Sequence, residues 1–298
     1  MNFSNNSSLI CAGIVTYNPN IALLENCVKA IASQVTFVVV VDNGSSNVDE
    51  IRVMLSNYTD SLMIENVGNK GIAFALNQIG EYAFENSYDW FLTLDQDTIC
   101  PQNMIDEYNH FIVRTNVGML CPAVVLRVNG EMSEPSTNLE DSVQTAITSG
   151  ALVRTNAWRK IGGFWNSLFI DKVDDDFSYA LHNEGFDILR INKVHISHQI
   201  GNPNKKNILG VHFYTDNYPL FRYYYQARNS VVVYSVYKRT GFSWRKILFK
   251  KLLKVLLGEK QKIRKCKAVL LGMLDGLKWV HAGLVRGNEI CDDRRNLI

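Results

Sequence analysis

Four apolar runs punctuate the first third of the chain: Leu9–Thr16, Phe37–Val41, residues 61–65 and Trp90–Leu94. Between them lie stretches of helical spacing. The first, residues 20–32, places Ile21, Leu24, Val28 and Ile31 on one stripe; the others run over about 48–57 and 71–85. Near-continuous β-branched and aromatic runs of this length fit strands buried on both faces, as parallel strands are. Strand followed by helix, four times over, confines the chain to an α/β fold with a mostly parallel central sheet and helices on both faces. A content of 47% hydrophobic and 20% charged residues excludes a disordered chain. A length of 298 residues allows one large domain with an appendage.

In an open sheet of this kind, ligands bind beyond the C-terminal ends of the strands, so those ends carry the functional question. The first run leads into Thr16-Tyr17-Asn18-Pro19, the second into Asp42-Asn43-Gly44-Ser45-Ser46, the third into Asn66-Val67-Gly68-Asn69-Lys70-Gly71, the fourth into Asp95-Gln96-Asp97. Two carboxylates one residue apart at a strand end can turn toward one hard cation, with substrate phosphates completing its shell. The bland alternative is a polar turn. Asp42 can accept from a ribose or base, or only close an Asp-Asn-Gly turn. Gly68 and Gly71 either bare backbone N–H groups to an anion at a helix start or serve turn geometry alone. Neither an ATPase phosphate loop nor a dinucleotide fingerprint is present.

The pattern then changes. Residues 117–131 read as a hairpin turning at Asn129-Gly130, residues 131–143 as an irregular loop, Thr145–Val153 as a strand, and Thr155–Ile161 as a short helix. Asp171, Asp174, Asp175 and Asp176 crowd one stretch, which suits a helix N-terminus and is either a solvated helix start or a source of a general base. A strand at 186–191 precedes His195 and His198. A histidine there is either a metal ligand or an ordinary surface or core residue.

Taken jointly and in this order, Val15-Thr16-Tyr17-Asn18-Pro19, Val41-Asp42-Asn43-Gly44-Ser45, Asn66 through Ala73, Leu94-Asp95-Gln96-Asp97, Gly150 with Gly162-Gly163-Phe164, Phe169 through Asp176, and Arg222-Tyr223-Tyr224 with Ala227-Arg228-Asn229 resemble the inverting GT-A glycosyltransferases of family two. Within that family they resemble the rhamnosyltransferase branch most. The resemblance covers residues 9 to about 230. It implies that Thr16, Tyr17 and Asp42 contact the nucleotide base and ribose, and that Asn66, Gly68 and Lys70 line the nucleotide pocket. It puts Asp95 near ribose and metal, Asp97 on the metal, His198 near a third ligand position, and Arg228 against the diphosphate. Asp174 falls where the family has its catalytic base; the spacing from Phe169 favours it over its neighbours. Val173 departs from the acid that many relatives carry there. The implied cofactor is Mg²⁺ or Mn²⁺. The implied reaction moves L-rhamnose from dTDP-L-rhamnose to a lipid-linked saccharide acceptor in bacterial surface polysaccharide synthesis. The alternatives are a UDP-hexose donor, or a non-catalytic nucleotide-sugar-binding subunit of an assembly complex.

The net charge of +2 hides a split. Residues 1–237 carry 15 Lys/Arg against 24 Asp/Glu, and residues 238–298 carry 16 against 5. The expected organisation follows: a GT-A catalytic domain over 1–237, with a nucleotide-binding half to about 115 and an acceptor-binding half over about 116–237, and then a basic helical segment, 238–298. In the helix over 243–257, Trp244, Leu248, Phe249, Leu252, Leu253, Val255 and Leu256 share one half and Lys246, Lys250, Lys251 and Lys254 most of the other. Such helices lie on anionic bilayers or pack on the catalytic domain or a second subunit. No nucleic-acid motif accompanies the basic run. No stretch reaches the ~18 apolar residues of a membrane span, the N-terminus reads as no signal peptide, and six scattered cysteines without a C-x-x-C pair read as reduced thiols. The expected location is cytoplasmic, peripheral to the inner face of the cell membrane.

Overall fold

All seven residues of β1 (Ile10–Thr16) are buried, because this strand is central, flanked on one side by β2 (Phe37–Asp42) and on the other by β4 (Trp90–Asp95). β3 (Ser61–Glu65) pairs with β2. These four strands are parallel and are joined by α1 (Ile21–Ala32), α2 (Val48–Leu55) and α3 (Ile72–Glu85). α1 shows how the sequence sets each element. Asn20 caps it, accepting from the Leu23 amide at 3.2 Å, and its buried residues Leu24, Cys27, Val28 and Ile31 recur at the spacing of one helix face. Burying each large apolar side chain contributes about 1.5–3 kcal/mol. The computed structural model describes residues 8–125, 137–197, 204–208, 211–215, 217–238, 243–283 and 286.

The chain divides into two compact units. The first comprises residues 1–164 and 177–198, the second residues 165–176 and 199–298. The first unit holds an eight-stranded sheet in the order β3-β2-β1-β4-β7-β5-β8-β6, adding β5 (Val117–Val125), β6 (Glu140–Ser142), β7 (Ala151–Arg154) and β8 (Asp187–Ser197). β7 runs antiparallel to both β4 and β5, β5 is parallel to β8, and β6 is antiparallel to β8. The fold is therefore mixed α/β with a mostly parallel sheet. α4 (Met104–Asn109) and α5 (Thr155–Lys160) complete this unit, and α6 (Val173–Asn183) starts in the second unit's stretch and continues in the first.

β5 pairs with β7 and β8, with irregularities of register at Val117–Met119 and at Pro122–Ala123; the turn expected at Asn129-Gly130 lies outside the described residues. One expectation changes here. The strand expected over 145–153 shortens to β7, because Gly150 takes φ +79 and residues 148–150 form a turn.

The second unit contains the hairpin β9 (Asn204–Ile208) and β10 (Val211–Thr215), then α7 (Leu220–Val236), α8 (Trp244–Gly258) and α9 (Lys262–His281). Its core joins Tyr223, Tyr224, Tyr225, Ala227 and Val231 of α7 to Leu248 and Val255 of α8 and Ala268 and Val269 of α9. α9 approaches α7 closely at Gly272, where a Cβ would lie 2.2 Å from the Tyr224 carbonyl oxygen. This packing groups α7 with α8 and α9 within the second unit. The apolar half expected on α8 is divided. Leu248 and Val255 are buried, while Phe249, Leu253, Leu256 and Leu257 are exposed among exposed Arg245, Lys246, Lys250 and Lys254. Among the described residues no helix is long and apolar enough to cross a membrane.

Candidate active site

Register brings the strand ends level. Thr16 pairs with Asp42, Asp42 with Glu65, and Val15 with Asp95. The first unit's sheet thereby gathers the loops that follow β1, β2, β3 and β4, and the side chains in those loops stitch them together. Asp42 is buried. One carboxylate oxygen accepts from the Thr16 hydroxyl at 3.0 Å and from the Ser45 hydroxyl; the other accepts from the amides of Gly44 and Ser45 at 3.1 and 2.9 Å. These four bonds use the acceptor positions a carboxylate offers. Asn18 takes φ +46, donates its amide to Ser45 Oγ at 2.7 Å, and accepts from the amide and hydroxyl of Ser46. Tyr17, half exposed, donates its amide to Gln96 Oε1 at 2.8 Å, so the residue between the two aspartates ties β4's end to β1's.

Asn43 does the same for the third loop. Its Oδ1 accepts from the Lys70 amide at 2.9 Å, and its Nδ2 donates to the Gly71 carbonyl and to Asn69 Oδ1. Asn66 and Gln78 exchange two amide hydrogen bonds at 2.8 and 3.1 Å. Gly44, at φ +84, lets the second and third loops touch: a Cβ there would lie 2.5 Å from Gly68 Cα. A Cβ on Gly68 would meet nothing within 4 Å among the described residues, so none of them demands glycine at that position. The Lys70 side chain is exposed.

At β4's end, Ser149 steadies the turn. Its hydroxyl accepts from the Asp95 amide at 3.2 Å and lies 2.6 Å from the Thr98 hydroxyl. Asp95 is half-buried and Asp97 exposed. Among the described residues no three His, Cys, Asp or Glu side chains group to hold a metal, and His198 lies outside the described residues. The donor set nevertheless fits a hard cation: two carboxylates on one turn, with the remaining positions left to phosphate oxygens and water. A groove of about 420 Å³ lined by Ile21, Glu25, Asp49, Glu50, Val53, Met54 and Asn57 includes none of these residues.

The expected base lies in the second unit, and the structure describes its surroundings there. Asp174 sits half-buried in the first turn of α6. Its acidic neighbours are engaged with partners. Asp171 accepts from Arg222 Nε at 3.1 Å and Gln226 Nε2 at 3.2 Å. Asp175 is 3.0 Å from Lys172 Nζ, which also meets the Tyr234 hydroxyl at 2.9 Å. Asp176 is fully buried between the Tyr237 hydroxyl at 3.0 Å and Arg286 Nε at 2.9 Å; burial raises its pKa above the usual carboxylate value, against the pull of Arg286 and Tyr237. Arg228, expected at the diphosphate, is 1% exposed. It donates to the carbonyls of Ser167 and Leu168 at 2.6 and 3.2 Å and lies over Trp279 and Tyr225. A guanidinium enclosed by rings and bonded to carbonyls is occupied in holding this unit. The residues to which sequence reasoning gave no role are the stitching side chains Asn18, Asn43, Ser45 and Gln96, and on α7 Arg222, Gln226 and Asn229. The α7 group has a readable signal, because polar residues at 222, 226 and 229 share one helix face.

Comparison with known proteins adds the family. A profile described as "Glycosyl transferase family 2" matches residues 11–165, just over half of the chain. The dTDP-rhamnosyl transferase RfbF of Shigella flexneri is 26% identical over 93% of this chain and 98% of its own length. Among solved structures, GalNAc-T7 with UDP, GalNAc and Mn²⁺ aligns at a TM-score of 0.58 and 12% identity, covering 97% of this chain and 60% of that one. The structure of S. aureus TarS 1-349 in complex with UDP-GlcNAc aligns at 0.56 and 13%, covering 93% and 84%. At these identities the structural likenesses bear on the fold.

Proposed function

The chain belongs to glycosyl transferase family 2, and from that premise we propose that it moves L-rhamnose from dTDP-L-rhamnose onto a lipid-linked saccharide acceptor, with inversion, in the synthesis of a bacterial surface polysaccharide. The observation that carries the site is the register that sets Thr16, Asp42 and Asp95 side by side at the ends of three adjacent parallel strands. The rhamnosyl donor rests on the likeness to the Shigella flexneri dTDP-rhamnosyl transferase.

The mechanism follows from the residues. Asp42 receives the N–H of the nucleobase by exchanging one of its Ser45 bonds for it, and Thr16 and Tyr17 border the same base and ribose. The open face of Gly68 admits the nucleotide, beside Asn66 and Lys70. Asp95 and Asp97, with His198, would hold Mg²⁺ or Mn²⁺, which as a Lewis acid neutralises the diphosphate leaving group. Asp174 takes the proton of the acceptor hydroxyl as its oxygen attacks the anomeric carbon and the bond to the diphosphate breaks. One displacement inverts that centre. General-base help of this kind is worth roughly 10²–10⁴-fold. The exposed stripe Phe249, Leu253, Leu256 and Leu257 on α8, among basic residues, suits an anionic bilayer, where each nearby Lys or Arg adds about 1 kcal/mol. That location would bring the enzyme to lipid-linked acceptors.

The test is thermal unfolding with Mn²⁺ and each of dTDP, UDP, GDP and ADP, repeated in Asp97→Ala. A nucleotide at 100 times its Kd should stabilise the protein by about 2.7 kcal/mol. Stabilisation by dTDP that needs metal and Asp97 supports the reading. Selectivity for UDP keeps the transferase and removes rhamnose, and no response to any nucleotide removes the donor site.

A further inference from the structure

The backbone just before the candidate base is strained, and one side chain holds it. A single turn of 3-10 helix (Asn166–Leu168) ends at Phe169, whose φ +62 and ψ −63, with the Ile170 amide donating to the Leu168 carbonyl at 2.7 Å, define the rare, strained form of γ-turn. Asp171 and Lys172 follow at φ +61 and +66. Three non-glycine residues at positive φ within four positions are a run that side-chain-bearing residues rarely adopt. It persists only where the surroundings over-determine it.

The surroundings here are one face of α7. Arg222, Tyr225, Gln226 and Asn229 stand at i, i+3, i+4 and i+7. Arg222 and Gln226 hold the Asp171 carboxylate, and Tyr225 stacks on the Phe169 ring at 4.9 Å between centroids. Asn229, fully buried, has the central place. Its Nδ2 lies 2.8 Å from each of the carbonyl oxygens of Leu168, Ile170 and Asp171, and its Oδ1 accepts from Arg228 Nε at 2.9 Å, which orients the amide. Two N–H hydrogens serving three carbonyls on both sides of the γ-turn fix the path of the chain into α6. The Lys172 carbonyl accepts from the Asp176 amide at 3.0 Å, so the residue that ends the strained run opens the helix that carries Asp174.

We propose that Asn229 is a positioning residue for the transfer reaction: its carboxamide holds the strained 168–172 turn and so sets the place of the Asp174 carboxylate. This rests on the reading of Asp174 as the base. A displacement of a catalytic group by about 1 Å can cost roughly 10²-fold in rate.

The experiment is a kinetic double-mutant cycle on the full chain with Asn229→Asp, which keeps the shape but removes the donors, and Asp174→Asn. Asn229→Asp is expected to lower kcat about 10–10²-fold with the donor KM and the Mn²⁺-dependent nucleotide stabilisation within about twofold of the parent. The double variant is expected to be no slower than Asp174→Asn alone, because Asn229 acts through that carboxylate. Should Asn229→Asp fail to fold, Asn229→Ser, which retains one donor, carries the same cycle with a smaller loss. Losses that multiply in the double variant, or a raised KM with kcat unchanged, would overturn the proposal while leaving the base assignment intact. Full activity in Asp174→Asn would instead overturn the base assignment, and the proposal with it.

Discussion

The loops at the strand ends of the first unit and the acid-bearing segment of the second both hold polar side chains in fixed places, by opposite means. In the first, four loops share many short side chains. Asp42, Asn18, Asn43 and Gln96 each bond to a different loop or to a neighbour's backbone, so the load is spread. In the second, one helix face and a few long-range pairs hold a backbone that its own residues disfavour. A level row of parallel strands presents loops that need only joining, whereas an irregular segment must be held against its local preference. The first arrangement should tolerate single losses, and the second should concentrate them.

The largest expected effect is on chemistry. Asp174→Asn should lower kcat by roughly 10²–10⁴-fold while metal-dependent nucleotide stabilisation is retained; steady-state transfer kinetics beside thermal unfolding measure both. Loss of nucleotide binding as well would show that the two regions cannot be treated apart. The next effect is on stability, at the second unit's other concentrated support. Lys265 and Glu259 form a buried pair at 2.7 Å, with the Tyr223 hydroxyl also on Glu259 and Asn217 on Lys265. Breaking such a pair from one side costs about 3–5 kcal/mol, so Lys265→Met should lose that much in urea unfolding. The pH dependence should also change sign. Burial alone raises the Glu259 pKa, yet its bonds to Lys265 and Tyr223 bring it below the usual carboxylate value. In the parent, then, this group stabilises the fold above its unfolded pKa, and that contribution is lost as pH falls through the folded one. In Lys265→Met burial prevails, the folded pKa lies above the unfolded one, and stability should rise as pH is lowered from 7 to 5.

How far the sequence revealed each region follows from the same contrast. The parallel half was legible because its signals are local: apolar runs such as Phe37–Val41, a capping Asn20, and turns at the strand ends. The level register of Thr16, Asp42 and Asp95 then follows from the α/β topology. The stitching roles of Asn43 and Gln96 were not legible, since an Asp-Asn-Gly turn looks the same whether or not its asparagine reaches a loop 26 residues on. The second unit is less legible. The dense tyrosines of α7 gave a helix, but not that α7 groups with α8 and α9. The positive-φ backbone at Phe169, Asp171 and Lys172 has little local signal: Phe and Lys disfavour it, Asp alone tolerates it, and the side chain that bonds to the carbonyls there is Asn229, some 60 residues away.

A third variant tests the point at which the spread-out net has no redundancy. Gly44→Ala must place a Cβ 2.5 Å from Gly68 Cα at φ +84. The left-handed backbone costs about 1–2 kcal/mol and the overlap a further 1–3 or so, so a loss of about 2–5 kcal/mol in urea unfolding is expected, together with weaker nucleotide stabilisation. A loss below about 1 kcal/mol would mean that the second and third loops part easily.

The smallest effect separates two contributions within the net itself. Asn18 is exposed, holds φ +46, and accepts both the amide and the hydroxyl of Ser46. Removing those bonds at an exposed position, where water replaces them, should cost about 0.5–1.5 kcal/mol. Asn18→Gly removes the bonds and leaves the left-handed backbone free of penalty, at the expense of a more flexible unfolded chain. Asn18→Ala removes the bonds and adds the backbone penalty of about 1–2 kcal/mol. If the net bears its load jointly, both variants remain folded, alanine is the worse of the two by about 1 kcal/mol, and nucleotide stabilisation survives in each, because Ser45 and Gln96 still join the first loop to the second and the fourth. If Asn18→Gly alone abolished nucleotide stabilisation, the first unit would rest on single residues much as the second does on Asn229, and the contrast between the two regions would fail.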